Sequence, residues 1–152
     1  MPGNPAANPA AFDAVAADYD TIFSRSLLGQ LLRGRVWRLL ASQFQAGDHI
    51  LELACGTGED AVWLARHGLA VTALDASPAM MTIAAQKIGR AGLGDRISLQ
   101  RASLQQIISG DWQPDGRTFD GVLSNFGGLN TINNWHDLAA RLAGMVKPGG
   151  CT

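Results

Sequence analysis

The most constraining stretch of the chain lies between His49 and Asp75. A short apolar run, His49-Ile-Leu-Glu-Leu-Ala54, meets a Gly-rich turn, then a helical stretch from Glu59 to His67. A second apolar run, Ala70-Val-Thr-Ala-Leu74, follows and is ended by Asp75. Runs this short and apolar read as strands buried on both faces. Gly68 stands where a helix closes through the left-handed region. Ser77-Pro78 opens the next helix, with Ser as N-cap and Pro in the first turn, where its missing N–H costs nothing. The alternation continues with strands over Arg96–Arg101 and Phe119–Asn125 and a helix over Trp135–Val146, before Lys147-Pro-Gly-Gly150. Such repeats imply right-handed crossovers and a parallel sheet covered by helices on both faces. The expected class is α/β, doubly wound and mostly parallel.

Upstream, Met1–Ala11 is rich in Pro, Ala and Asn and reads as a loose leader. Phe12, Val15, Tyr19, Ile22 and Phe23 recur at helical spacing, and Leu28 to Leu40 form a second stripe that Gly47-Asp48 ends. Residues 12–47 are therefore a pair of N-terminal helices and 48–152 the α/β core. Hydrophobic residues make up 47% and charged ones 16%, the reverse of a disordered chain. The longest uncharged stretch, Gly121 to His136, carries four asparagines and cannot span a bilayer. A net charge of −1 gives no global field for nucleic acid or anionic lipid. The first charge is Asp13, so no basic region of a secretory signal is visible. Cys55 and Cys151 lie far apart with no zinc-type spacing, and the expected setting is a reducing cytoplasm without a metal.

In doubly wound sheets ligands bind at the carboxyl ends of the strands. Here the first strand ends in Glu52-Leu-Ala-Cys-Gly-Thr-Gly-Glu-Asp60, where Gly56 and Gly58 allow close approach to the backbone. Asp75, 17 residues after Gly58, ends the next strand and can accept both hydroxyls of a ribose. Gly56-x-Gly58-x-x-Ala61 aligns with the dinucleotide fingerprint, so NAD(P) and an adenosyl amino acid both fit this geometry. Charge separates them. Glu52 at the strand end and Glu59 and Asp60 in the first helical turn would repel a pyrophosphate. A zwitterionic amino acid on a sulfonium has no such conflict, so the acids favour S-adenosyl-L-methionine.

Four blocks resemble the Rossmann-like class I S-adenosylmethionine-dependent methyltransferases. They are Ile50-Leu-Glu-Leu-Ala-Cys-Gly-Thr-Gly58, Val71-Thr-Ala-Leu-Asp-Ala-Ser-Pro-Ala-Met-Met81, Phe119-Asp-Gly-Val-Leu-Ser-Asn125 and Val146-Lys-Pro-Gly-Gly150. Each stands in the family's order, and Tyr19-Asp20 extends the similarity upstream. The resemblance implies that Glu52 to Gly58 wrap the methionine part, with Gly56 and Gly58 closest. It implies that Asp75 holds the ribose, that Ala76 and Met80 flank the adenine, and that Asn125 presents its backbone near the methionine amine. Tyr19 would close over the cofactor from the N-terminal helices. Ser103 falls where the family often has an acid for the adenine amino group, and Ala54 replaces the first Gly of the usual Gly-x-Gly-x-Gly, a variant read as harmless.

Other residues read more plainly. Cys55 fills a tight turn, Trp37 and Trp63 belong to the core, and Gly127-Gly128 is a flexible turn giving substrate access. Arg25, Arg33, Arg35 and Arg38 form a solvated helix face, with Arg33 the first alternative as a contact to the cofactor carboxylate or an acidic substrate. Trp135 and His136 are candidate substrate-side residues, and Asp18, Asp20 and His136 candidate bases. The implied reaction is methyl transfer to a small molecule. The family's Lys-Pro-Gly-Gly precedes a fifth strand, so the core is expected to lack its C-terminal strands and to be ordered 3-2-1-4. The unpaired fourth strand would then be an edge for self-association. A non-catalytic cofactor-binding remnant and an NAD(P)-binding domain stay open as alternatives.

Overall fold

The computed structural model describes residues 9–151. Helix α1 (Pro9–Tyr19) runs into one turn of π-helix at Asp20–Ser24, and α2 (Leu27–Gln43) follows. The core then alternates β1 (His49–Leu53), α3 (Glu59–Arg66), β2 (Ala70–Asp75), α4 (Pro78–Ala91), β3 (Ile97–Arg101) and α5 (Leu104–Ser109). It ends with β4 (Phe119–Leu123), a 3₁₀ turn at Gly128–Thr131, α6 (Trp135–Ala143) and β5 (Val146–Cys151). The leader expectation falls mostly outside the described residues, and the first helix begins at Pro9 rather than Phe12.

Every strand pairing is parallel, in the order β3-β2-β1-β4-β5. The doubly wound, Rossmann-like α/β class stands as expected. Alternation along the strands explains the two cores. Ile50, Val71 and Ala73 face α2, α3 and α4 with Leu40, Leu64 and Ile88, while Leu51, Leu53, Leu74 and Phe119 face α5 and α6 with Ile107 and Leu138. Ser77 caps α4 by accepting from Met80 N at 3.1 Å. Asp13 of α1 joins that cap, accepting from Ser77 Oγ at 2.5 Å and Ala79 N at 3.3 Å, which ties the first helix to the core.

The expectation of a sheet ending at the fourth strand is corrected. The Val146–Cys151 segment is itself a fifth strand, so β4 is a paired inner strand and offers no free edge. Phe119 pairs with Val146 and Gly121 with Cys151, with the register broken between them. Lys147-Pro-Gly-Gly150 lies at that irregularity, where Pro is tolerated because an edge strand and a broken register ask no ladder hydrogen bond of it. Phe119 N donates to Met145 O at 2.8 Å and Lys147 Nζ to Asp120 Oδ1 at 2.8 Å, which pins the strand in place. Pro and Gly read as punctuation in the sequence. Here they are the bulge inside an edge strand.

Candidate functional site

A cavity of about 340 Å³ opens at the carboxyl ends of β1, β2 and β4. Tyr19, Glu52, Ala54, Gly56, Asp75, Ala76, Met80, Ser103 and Asn125 all line it. Gly58 does not. It takes φ +78° as the N-cap of α3, and a Cβ there would stand 3.1 Å from Ala84 Cβ, so its smallness lets α3 and α4 approach.

Asp75 organises the loop between β1 and α3. Its Oδ2 accepts from Gly56 N and its Oδ1 from Ser77 N, both at 2.8 Å. A carboxylate has about four lone-pair directions, so each oxygen keeps one for a ligand hydroxyl. Burial raises its pKa, and the backbone N–H groups of Ser77, Gly56 and Ala76 oppose the rise.

Glu52 is 3% exposed, and its Oε2 has no hydrogen-bond partner. Burial, reinforced by the nearby Asp60 charge and opposed by Arg33, pushes its carboxyl well above the usual range. The folded chain therefore holds a proton on Glu52 at pH values where the unfolded chain has released it. The stability tied to this group is complete below the ordinary glutamate pKa of 4.5 and falls as pH rises toward the folded value. Asp75 contributes with the same sign. In denaturant titrations between about pH 5 and 8, Glu52→Gln is expected to lessen the loss of stability shown by the native chain. An unchanged slope would overturn this.

A buried network closes the other wall. Asp60 accepts from Arg33 Nη1 at 2.9 Å, Trp37 Nε1 at 2.8 Å and Asn125 Nδ2 at 3.0 Å. Its place in the first turn of α3 also suits the helix dipole. Arg33 is buried, with its guanidinium carbon 4.6 Å from the Phe126 ring centroid and 5.7 Å from that of Phe23. Its Nε has no partner. Of the four arginines read as a solvated face, Arg33 turns inward and lines the cavity, while Arg25, Arg35 and Arg38 are exposed.

Several readings are revised by position. Ala54 takes φ +53°, a conformation costing an L-residue about 1–2 kcal/mol. A Gly there would carry no such cost, so the replacement is not neutral. A Cβ on Gly128 would collide with Ala54 Cβ, which makes the Gly127-Gly128 turn a close-packed corner opening the 3₁₀ turn rather than a flexible one. Ser103 lines the cavity, but its hydroxyl caps α5 by accepting from Gln106 N at 3.2 Å, and Gln106 Oε1 accepts from Ser103 N at 2.9 Å. Trp135, His136 and Asp18 are exposed and outside the cavity, and Asp20, half-buried, also lies outside it. Asp20 instead accepts from Lys87 at 2.7 Å, Thr57 at 2.7 Å and Ser24 at 2.9 Å. Cys55 is buried with its thiol pKa pushed well up, first by burial and then by Glu52, which suits a filler and not a nucleophile. Phe12, Arg33, Asp60, Gln105, Phe126 and Ile132 also line the cavity. The Ser103-x-x-Gln106 capping box was the available signal for α5, and hence for Gln105.

A family model described as a methyltransferase domain matches residues 50–150, from the second residue of β1 into β5. The chain belongs to that methyltransferase domain family. The four blocks that carried the class I resemblance fall within the same residues. Among similar proteins, a demethylmenaquinone methyltransferase of Symbiobacterium thermophilum is 29% identical over 143 residues, covering 91% of this chain and 54% of its own. That of Clavibacter sepedonicus is 31% identical over 144 residues, covering 93% and 54%. The chain spans about half the length of the curated relatives it matches. A DhpI complex with S-adenosylhomocysteine aligns at TM-score 0.71 and 28% identity, covering 93% of this chain and 63% of that one. A methyltransferase structure from Methanococcus maripaludis aligns at TM-score 0.74 and 21% identity over 91% and 60%, a likeness of fold.

Proposed function

We propose that this cavity holds S-adenosyl-L-methionine and that the whole protein transfers its methyl group to a small apolar acceptor. One observation carries the reading. An acidic and a basic side chain, Glu52 and Arg33, line the same cavity, both are buried, and each has a polar atom without a partner. A zwitterionic amino-acid end would suit both, its ammonium drawing Glu52 into the ionised form and its carboxylate meeting the Arg33 guanidinium. A pyrophosphate would instead face Glu52, Asp60 and Asp75 together. Asp75, with one acceptor direction left on each oxygen, suits a pair of ribose hydroxyls. The cofactor seen with the DhpI relative points the same way.

When bound, the group supplies an electrophilic methyl on a sulfonium with a neutral leaving group. The chain's part is to orient it and to exclude water. Tyr19, Phe12 and Phe126 form the apolar rim, and burial raises the Tyr19 pKa, so its phenol stays neutral in this setting. The relatives' names point to an acceptor of the demethylmenaquinone kind, a quinone-type ring that such a rim could stack. Calorimetric titration tests the cofactor reading. S-adenosylhomocysteine is expected to bind saturably at one site and NAD not at all. A folded chain that binds neither, or NAD alone, would overturn it.

A further inference from the structure

Helix α2 presents two unlike faces. Its inner face buries Gly29, Arg33 and Leu40. Its outer face carries Leu28, Leu31, Leu32, Arg35 and Leu39, spaced i, i+3, i+4, i+7 and i+11, which places them on one side of a helix. These are not grazing exposures. Leu27 is 75% exposed, Leu28 63%, Leu31 61% and Leu39 61%, and Ile22 just upstream is 71% exposed. An apolar patch of this extent marks an interaction surface.

Charge says what it meets. From Thr21 to Gly47 there is no Asp or Glu, but there are four arginines. Arg33 is neutralised inside by Asp60, whereas Arg25, Arg35 and Arg38 are exposed and make no ion pair among the described residues. Asp13 and Asp20 of the preceding segment are engaged by Ser77 and Lys87, and Asp13 and Asp18 are exposed on α1, outside the α2 stretch. The chain's net charge of −1 therefore hides a local positive patch set among leucines. A second copy docking by two-fold symmetry would bring this patch onto its own mate, arginine against arginine. An anionic bilayer has no such conflict: leucines enter the acyl boundary and arginines meet phosphate.

We propose that the outer face of α2 docks on an anionic lipid surface. Among the described residues no helix is long and apolar enough to cross a membrane, and the contact is peripheral. Arg33 and Phe12 line the cavity from α2 and α1, so the bilayer would lie about one helix diameter, roughly 10 Å, from the cavity. An acceptor dissolved in lipid would then have a short path. That consequence rests on the proposed function, while the docking surface itself does not.

Co-sedimentation of the 152-residue chain with vesicles tests it. Binding is expected to vesicles of phosphatidylcholine mixed with phosphatidylglycerol, and to weaken as salt rises. Arg35→Glu with Arg38→Glu is expected to lower the partition coefficient by about twenty-fold or more, and Leu28→Gln with Leu31→Gln to abolish binding. Both pairs are on the solvent side, and circular dichroism together with S-adenosylhomocysteine titration reports whether the fold and the cavity are kept. No partition of the native chain, or partition unchanged by either pair, overturns the proposal. So does light scattering that shows a dimer which the leucine pair dissolves while vesicles go unbound. A failed cofactor titration with intact vesicle binding overturns the proposed function alone.

Discussion

Asp60→Ala is expected to cost the fold about 3–5 kcal/mol, read as a lower denaturant midpoint with an unchanged slope. The reason is the number of buried donors that converge on one carboxylate. Arg33 and Asp60 keep 7% and 4% side-chain exposure, so removing the acid strands a guanidinium in the interior. Trp37 Nε1 and Asn125 Nδ2 lose their acceptor at the same time. Against a typical total of roughly 5–15 kcal/mol, this leaves a marginal fold. The double variant Asp60→Leu with Arg33→Met separates the causes. It removes the stranded charge and is expected to recover much of the loss, because replacing a buried pair by apolar groups is often neutral. A single variant within about 1 kcal/mol of the native chain, the scale of one ordinary hydrogen bond, would show that the network carries little.

The same residues explain how far the sequence could be read. The strands from β1 to β4 and the helices α3 and α4 were legible because buried parallel strands are short apolar runs and these helices carry strong terminal signals. The six-residue α5 between β3 and β4 was not read. Ser77-Pro78 and Gly68 stand where expected, with Gly68 at φ +88°. Motif residues at strand ends were legible for a topological reason: a parallel sheet gathers its carboxyl ends on one edge, so Glu52, Asp75 and Asn125 had to meet. Distance along the chain hid the rest. Arg33 and Asp60 are 27 residues apart, Asp60 and Asn125 are 65 apart, and no periodicity reports which arginine of four turns inward. Asp60 read only as a first-turn acid suited to a helix dipole, a role that does not foretell three buried donors. β5 was hidden by its own composition, since Pro and two glycines argue against a strand unless it is an irregular edge. Ala54 conceals a backbone conformation that a Gly would have announced.

Asp75→Ala is expected to weaken S-adenosylhomocysteine binding about a hundredfold or more, two lost charge-assisted hydrogen bonds at about 1.5–3 kcal/mol each. Its effect should exceed that of any other single change among the cavity acids, because Asp75 has two tasks. In the proposed complex it accepts from the ribose, and in the free chain it already fixes Gly56 N and Ser77 N at 2.8 Å. Alanine removes both, so the loop between β1 and α3 loses its anchor as well as the ligand its partner. Asp75→Asn divides the two contributions. Its single carboxamide oxygen can keep one backbone N–H, while its NH₂ group faces the other N–H and repels it. An intermediate loss is expected there, with the fold retained by circular dichroism. Glu52→Gln supplies the contrast. It leaves the Gly56 anchor in place and touches only the amino-acid end, so its loss should be smaller and should grow as pH rises and the ionised form of Glu52 is called for. If Asp75→Ala binds as tightly as the native chain, the ribose does not sit at the end of β2. The acids at the strand ends would then be explained by the loop alone.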